Sequence, residues 1–207
     1  GIDLLAGPTD VLIIADEQAD AELVATDLVS QAEHGYNSPV WLVTTSNILA
    51  QKVVQLVPEI IKKLPAQNKL NASQAWRELG EIILCSTRAE AVKIANEIAP
   101  EHLHVQATEP NWWKSELNSY GSLFLGEETT VAFGDKAAGP NHVLPTSGAA
   151  KYTGGLSVHK FIKVVTWQKA ESRSLNRLAE VTANISRLEG MEGHALSADV
   201  RLKKYRK

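Results

Sequence analysis

Val11-Leu12-Ile13-Ile14-Ala15 is an unbroken apolar run, rich in β-branched residues and bounded by the Gly7-Pro8 turn signal and by Asp16. So short a run without a polar member reads as a strand buried on both faces, which implies a parallel sheet. Parallel strands need crossovers of a dozen or more residues, usually helical. Residues 21–33 meet that need: Leu23, Val24, Ala25, Leu28, Val29 and Ala32 recur at helical spacing, and Gly35 stands just past His34 as a stop. The alternation continues with a strand at 40–44, a helix at 47–64 in which Pro58 marks a break, a strand at 81–85 and a helix at 89–98. Beyond Pro100, shorter strands at 102–106 and 122–125 flank a short helix around Trp112-Trp113-Lys114. The expected fold class is α/β, an open and mostly parallel sheet of incomplete Rossmann-like form.

Residues 133–155 are dense in Gly, Pro, Asn, Asp and Thr, too long for a plain connection and so read as a functional loop. Residues 174–188 turn helical again, with Leu175, Leu178, Val181, Ile185 and Leu188 at three-to-four spacing, and a polar, basic tail follows at 201–207. This divides the chain into a sheet domain, 1–130, and a loop with a helical C-terminal segment, 131–207. After Leu188 the tail has little apolar periodicity, which fits docking on a neighbouring subunit or a floppy end.

Composition narrows the function. Across 207 residues, Lys+Arg total 21 against 24 Asp+Glu, a formal net charge of -3 without a long basic run. Neither nucleic acid nor an anionic membrane surface is favoured as a partner. No stretch reaches the 18 or so apolar residues of a membrane helix. The single cysteine, Cys85, excludes an intrachain disulfide framework or a multi-cysteine zinc site, and points to a reducing cytoplasm. Set in an apolar strand, it reads as a buried, inert thiol.

Four segments carry candidate chemistry. Gln31 and His34 are three apart at a helix end, so they share a face whose partial negative charge welcomes a cation; a C-capping histidine is the commoner explanation. Glu101-His102 follows Ala99-Pro100 where a helix gives way to a strand, a place where a rigid scaffold holds loop-borne groups. Adjacent residues on an extended segment point opposite ways, so both meet one substrate atom only if the backbone turns between them. His104 reads as a packed or surface histidine. The loop Phe133-Gly134-Asp135-Lys136-Ala137-Ala138-Gly139-Pro140-Asn141-His142 joins a carboxylate and an imidazole to glycines that permit close approach, although Asp135 and Asn141 also suit plain turns. Glu189-Gly190-Met191-Glu192-Gly193-His194 looks, alone, like a helix junction. Three separated histidines with Asp135 suit zinc or another first-row metal if the fold brings them together.

Taken together, Gly7-Pro8-Thr9-Asp10, Ser30-Gln31-Ala32-Glu33-His34-Gly35, Ala99-Pro100-Glu101-His102-Leu103, Gly134-Asp135, Gly139-Pro140-Asn141-His142 and Glu189-Gly190-Met191 with His194 resemble the histidinol dehydrogenase family, in family order and over nearly the whole chain. The resemblance implies a zinc- and NAD-dependent enzyme that oxidises an amino alcohol through an aldehyde to a carboxylate, histidinol to histidine. It implies Gln31, His34, Asp135 and His194 as zinc ligands that also face the substrate. Glu101 and His102 become the catalytic pair, His102 taking protons from the alcohol and the hydrate and Glu101 activating the water. Thr9, His142 and Glu189 fall on substrate-contacting positions. The chain matches roughly the C-terminal half of a full-length member, so cofactor-binding residues stay unassigned and the chain alone is expected to be inactive. The segments 35–39, 151–156 and 189–195 look like a paralogous branch acting on other hydroxylated substrates such as sulfopropanediol. The resemblance also implies an intertwined homodimer in which the tail, with Glu189 and His194, reaches the partner's site. A noncatalytic binding module is the alternative of another class.

Overall fold

A computed structural model of the chain describes residues 7–205. The chain divides into two compact units, Gly1–Ile162 and Lys163–Lys207. The loop after residue 136 therefore belongs with the sheet, whereas composition had drawn the line at 130.

In the first unit, β1 (Val11–Ala15), β2 (Val40–Thr44), β3 (Gly80–Leu84), β4 (His102–Gln106) and β5 (Ser122–Leu125) form one all-parallel sheet in the order β3-β2-β1-β4-β5. The period of two along β1 decides which helices lie where. Val11, Ile13 and Ala15 face a core built with Val24, Leu28, Val53, Val57, Ala72 and Ala75, from α1 (Ala21–Ala32), α2 (Asn47–Lys62) and α3 (Ala66–Leu79). Leu12 and Ile14 face the opposite core, with Ala91 and Ala95 of α4 (Arg88–Ile98) and Trp113 of α5 (Pro110–Glu116). Every residue of β1 is buried, as its unbroken apolar run requires. Each fully buried Val, Leu or Ile contributes about 1.5–3 kcal/mol.

Polar caps start the helices where the sequence changes period. Asp20 accepts from the N–H groups of Glu22 and Leu23 at the head of α1, Ser46 caps α2 and Thr87 caps α4. Two readings of this region change. Pro58 does not break α2: it stands with Val54 on the exposed face, and the helix runs on to Lys62. The second is α3, which the periodicity did not reveal: its buried residues are Ala72 and Ala75, too small to draw an apolar stripe, while Leu70 is exposed. It runs directly into β3 at Gly80, where a Cβ would meet the Trp76 carbonyl at 2.5 Å, so only glycine fits.

The expected loop after 130 is in part a short helix, α6 (Val131–Lys136), capped by Thr130 and carrying Asp135. In the second unit, α7 (Ser172–Leu188) is followed by α8 (Glu192–Tyr205), so the tail is a helix and not a loose end. The pair packs through Ala179, Ala183, Ala195 and Ala198. Among the described residues, no helix is long and apolar enough to cross a membrane.

Replacing Pro58 by alanine returns an N–H to the Val54 carbonyl. The expected result is a gain of about 1–3 kcal/mol, seen as a higher melting temperature; an unchanged or lower value would show that the ring packs favourably where it stands.

Candidate functional site

The parallel pairing of β1 with β4 sets Val11 opposite His102, so the residues just upstream, Thr9 and Asp10 on one side and Glu101 on the other, meet at the amino edge of the sheet. The approach is sharp. Ala99, buried at the end of α4, takes a left-handed conformation at φ 52° before Pro100 turns the chain into β4. Such a conformation costs a residue with a Cβ on the order of 1 kcal/mol and persists where its surroundings over-determine it.

Main-chain and side-chain bonds then lock the corner. The Glu101 N–H donates to Asp10 Oδ1 at 2.7 Å, while Glu101 Oε2 accepts from Thr9 Oγ1 at 2.5 Å and from the Asp10 N–H at 3.3 Å. Gln31 Nε2 donates to Thr9 Oγ1 at 2.6 Å, which ties the last turn of α1 to the same corner. The chain bends at Glu101, and this bend brings Glu101 Oε2 within 3.6 Å of His102 Nδ1. The geometric obstacle to an adjacent acid and base is removed in this way.

His102 is the centre of the arrangement. Its Nδ1 lies 2.8 Å from the Asp10 carbonyl oxygen, an acceptor only, so Nδ1 carries the hydrogen and Nε2 is left with its lone pair. Nε2 is buried and, among the described residues, makes no hydrogen bond; the Asp135 carboxylate stands 3.9 Å away on α6. Both residues line a cavity of about 240 Å³ whose other walls include Phe124, Phe133, His142 and Leu144. A bare imidazole nitrogen on a residue that lines a largely apolar cavity is a proton acceptor without a proton. Glu101 does not line this cavity; it is buried behind the ring.

The remaining expected residues are distributed as follows. Gln31 is buried, His34 is exposed just past the end of α1, and His142 is an exposed part of the cavity wall. Glu189 caps the end of α7 and is exposed, and His194, in the first turn of α8, lies on a groove of about 500 Å³ in the helical unit. Gln31, His34 and Asp135 thus belong to one unit and His194 to the other. Among the described residues, no group of three or more His, Cys, Asp or Glu is placed to hold a metal ion. The expected zinc set is therefore not assembled by these residues alone. Cys85 is buried, and burial pushes its thiol up, in keeping with an inert side chain.

Sequence reasoning named Asp10 within a motif but gave it no role. Its carboxyl is buried, and burial pushes it from 3.8 up to about 7; the Glu101 charge adds to the rise, and N–H bonds from Glu101 and Ser147 oppose it. A polar residue abutting a wholly buried strand was the available signal. Between those two values the folded protein keeps a proton that the unfolded chain has released, so this group lowers stability as pH rises from about 4 to about 7. Asp10→Asn keeps an acceptor for the Glu101 N–H and cannot ionise. In urea unfolding at pH 4 to 8 it is expected to flatten this fall and to gain on the wild type at pH 8; an unchanged slope would show that Asp10 titrates as an ordinary carboxyl.

Known proteins share this architecture. The family model described as histidinol dehydrogenase matches residues 1–202. A histidinol dehydrogenase homolog of Ruegeria pomeroyi is 64% identical over 206 residues, covering 100% of this chain and 48% of its own. A sulfopropanediol 3-dehydrogenase of the same organism is 62% identical over 205 residues, covering 99% and 47%. The crystal structure of histidinol dehydrogenase from Elizabethkingia anophelis superimposes with a TM-score of 0.93 at 36% identity, over 99% of this chain and 47% of that one. The chain spans about half the length of the relatives it matches. With its sheet, its motifs and the extent of the match in agreement, the chain belongs to the histidinol dehydrogenase family of oxidoreductases.

Proposed function

We propose that this chain forms the His102-bearing half of a cytoplasmic, NAD-linked dehydrogenase that oxidises a small alcohol through an aldehyde to a carboxylate. The observation that carries the reading is the buried, unpartnered Nε2 of His102 facing the cavity, with Nδ1–H fixed on the Asp10 carbonyl. In the first oxidation, His102 Nε2 takes the proton of the substrate hydroxyl. The imidazolium so formed is stabilised by Glu101 at 3.6 Å and Asp135 at 3.9 Å. In the second oxidation the same nitrogen takes a proton from the aldehyde hydrate. Glu101 Oε2 is occupied by Thr9 and Asp10, so its position supports steadying the protonated ring more than activating the water. NAD supplies the hydride acceptor for both oxidations.

The resemblance also brings zinc. The ligands we assign are Gln31, His34 and Asp135, with His194 from a second copy of the chain; Glu189 joins Thr9 and His142 at the substrate. Bound there, zinc would supply Lewis acidity toward the substrate hydroxyl. A homodimer is supported by apolar side chains left in solvent on the helical unit: Val164, Val165 and Trp167 are 70–87% exposed.

Two substrate classes compete. The 62% identity to a sulfopropanediol 3-dehydrogenase, against 36% to the solved histidinol dehydrogenase, favours the sulfonated diol. Among the described residues, the cavity wall holds no Lys or Arg, so a sulfonate would find its cationic partner elsewhere. Supplied as the full-length protein with zinc, the enzyme is expected to form NADH from sulfopropanediol, whereas turnover of histidinol would assign the biosynthetic reaction. Turnover of neither would leave a noncatalytic binding module as the better reading.

In the same assay His102→Ala is expected to lower kcat by roughly a hundredfold or more, the scale of a lost general base, with KM changed far less. A wild-type rate would remove His102 from the chemistry. For the metal, His34→Ala and His194→Ala are each expected to abolish stoichiometric zinc, measured by elemental analysis. Full occupancy in both would overturn the ligand assignment.

A further inference from the structure

A second polar cluster lies on the same face of the sheet, two residues along β4 from His102, and the chemistry above does not use it. Its hub is Asp27 on α1, one turn before Gln31 and largely buried. Asp27 Oδ2 accepts from Gln106 Nε2 at 2.8 Å, and Asp27 Oδ1 accepts from Thr130 Oγ1 at 3.0 Å. His104, wholly buried, sits between them: its Nε2 lies 2.9 Å from the Gly126 carbonyl and its Nδ1 lies 3.3 Å from Gln106 Nε2 and 3.4 Å from Asp27 Oδ2. Because Gly126 offers only an acceptor, His104 Nε2 carries the hydrogen. The two hydrogens of the Gln106 amide then serve Asp27 and His104 Nδ1 together, so the neutral ring is satisfied on both sides. His104 is spent on holding the segment after β5 and has no nitrogen left for chemistry.

What that segment carries gives the cluster its consequence. Thr130 is the N-cap of α6, accepting from the Ala132 N–H at 3.4 Å while it donates to Asp27. Five residues on, α6 delivers Asp135 to the cavity beside His102. The fit on the other side of α6 is equally close. A Cβ at Gly134 would meet the Phe124 ring at 2.9 Å, and Phe124 stands between His102 and His104, with centroids 6.1 and 6.3 Å away. So short a helix has little stability of its own and takes its place from its cap and its contacts.

We propose that Asp27 and Thr130 are positioning residues for the reaction: their hydrogen bond clips α6 to α1 and so sets Asp135 against His102 Nε2. A single carboxylate thereby links the three elements that bear the candidate site, α1 with Gln31, β4 with His102 and α6 with Asp135. The role rests on the reading of His102 as the proton acceptor with Asp135 as the carboxylate beside it, and the test separates the two claims.

In the full-length protein labelled with ¹⁵N-histidine, Thr130→Val is expected to move the His102 Nε2 resonance without substrate present, and Thr130→Ser, which keeps the hydroxyl, to restore it. Asp27→Ala, which removes the acceptor, tests the bond from its other end should the valine variant fold poorly. In the NADH assay Thr130→Val is expected to lower kcat roughly ten- to a hundredfold, the scale of a small misplacement, with KM within about twofold. Placed on Asp135→Asn, the same change is expected to add little, since the two act through one group. A His102 resonance that does not move, a wild-type kcat, a serine variant as poor as the valine one, or full additivity with Asp135→Asn would each overturn the clip. If the wild type turns over neither alcohol, the proposed function fails and the resonance alone decides whether the clip exists.

Discussion

The register of β1 against β4 is the constraint on which the site depends. With Val11 opposite His102, the last residues before each strand are forced into contact across 91 positions of sequence, and the carbonyl that orients His102 comes from the main chain of Asp10. A side-chain acceptor is lost with one substitution; a main-chain one moves only if the strand moves. Because β1 is buried on both faces, sliding it by one residue would exchange the two cores, Val11, Ile13 and Ala15 for Leu12 and Ile14. The packing of the sheet therefore guards the tautomer of the histidine.

The site lies at the amino edge of the strands, whereas open α/β sheets usually bind ligands beyond the carboxyl ends. The fold explains how the amino edge was equipped. Each crossover helix runs back antiparallel to the strands, so α1 ends where β1, β2 and β4 begin and brings Gln31 and His34 with it. At the carboxyl edge there is a crevice of about 310 Å³, but the cation that lines it, Arg88, is paired with Glu109 at 2.6 Å and stacked on Trp112 at 4.0 Å. The candidate site lies at the other end, where two carboxyl groups, Asp10 and Glu101, are buried together. Burying them is costly, as the Asp10 carboxyl shows, pushed up chiefly by burial and further by the Glu101 charge, and the surrounding core of Val, Leu and Ile side chains offsets it.

Much of the fold was legible because the strands are extreme cases. Residues 11–15, 40–44, 102–106 and 122–125 stand where apolar runs and their bounding residues place them. The unread helices, α3 and α8, share one physical cause: helices that pack through alanine leave no apolar stripe. Helix α3 buries only Ala72 and Ala75, and the α7–α8 pair closes on four alanines, so periodicity found no helix at 66–79 and no partner for the tail. Pro58 misled in the opposite sense: it stands on the exposed face of α2, and the helix runs on through it.

The sequence by itself determined which residue types are available and where: the motifs with Gln31, His34, Glu101, His102, Asp135, His142, Glu189 and His194, and a family membership that motif order alone suggested. Those are properties of local order along the chain. Only the tertiary structure decided that Glu101 lies behind the imidazole, that Asp10 fixes its tautomer, that α6 carries Asp135 to its free nitrogen, and that Asp27 holds α6. Each of these is a contact between residues tens of positions apart, set by strand register and helix packing, which no spacing within a single segment encodes.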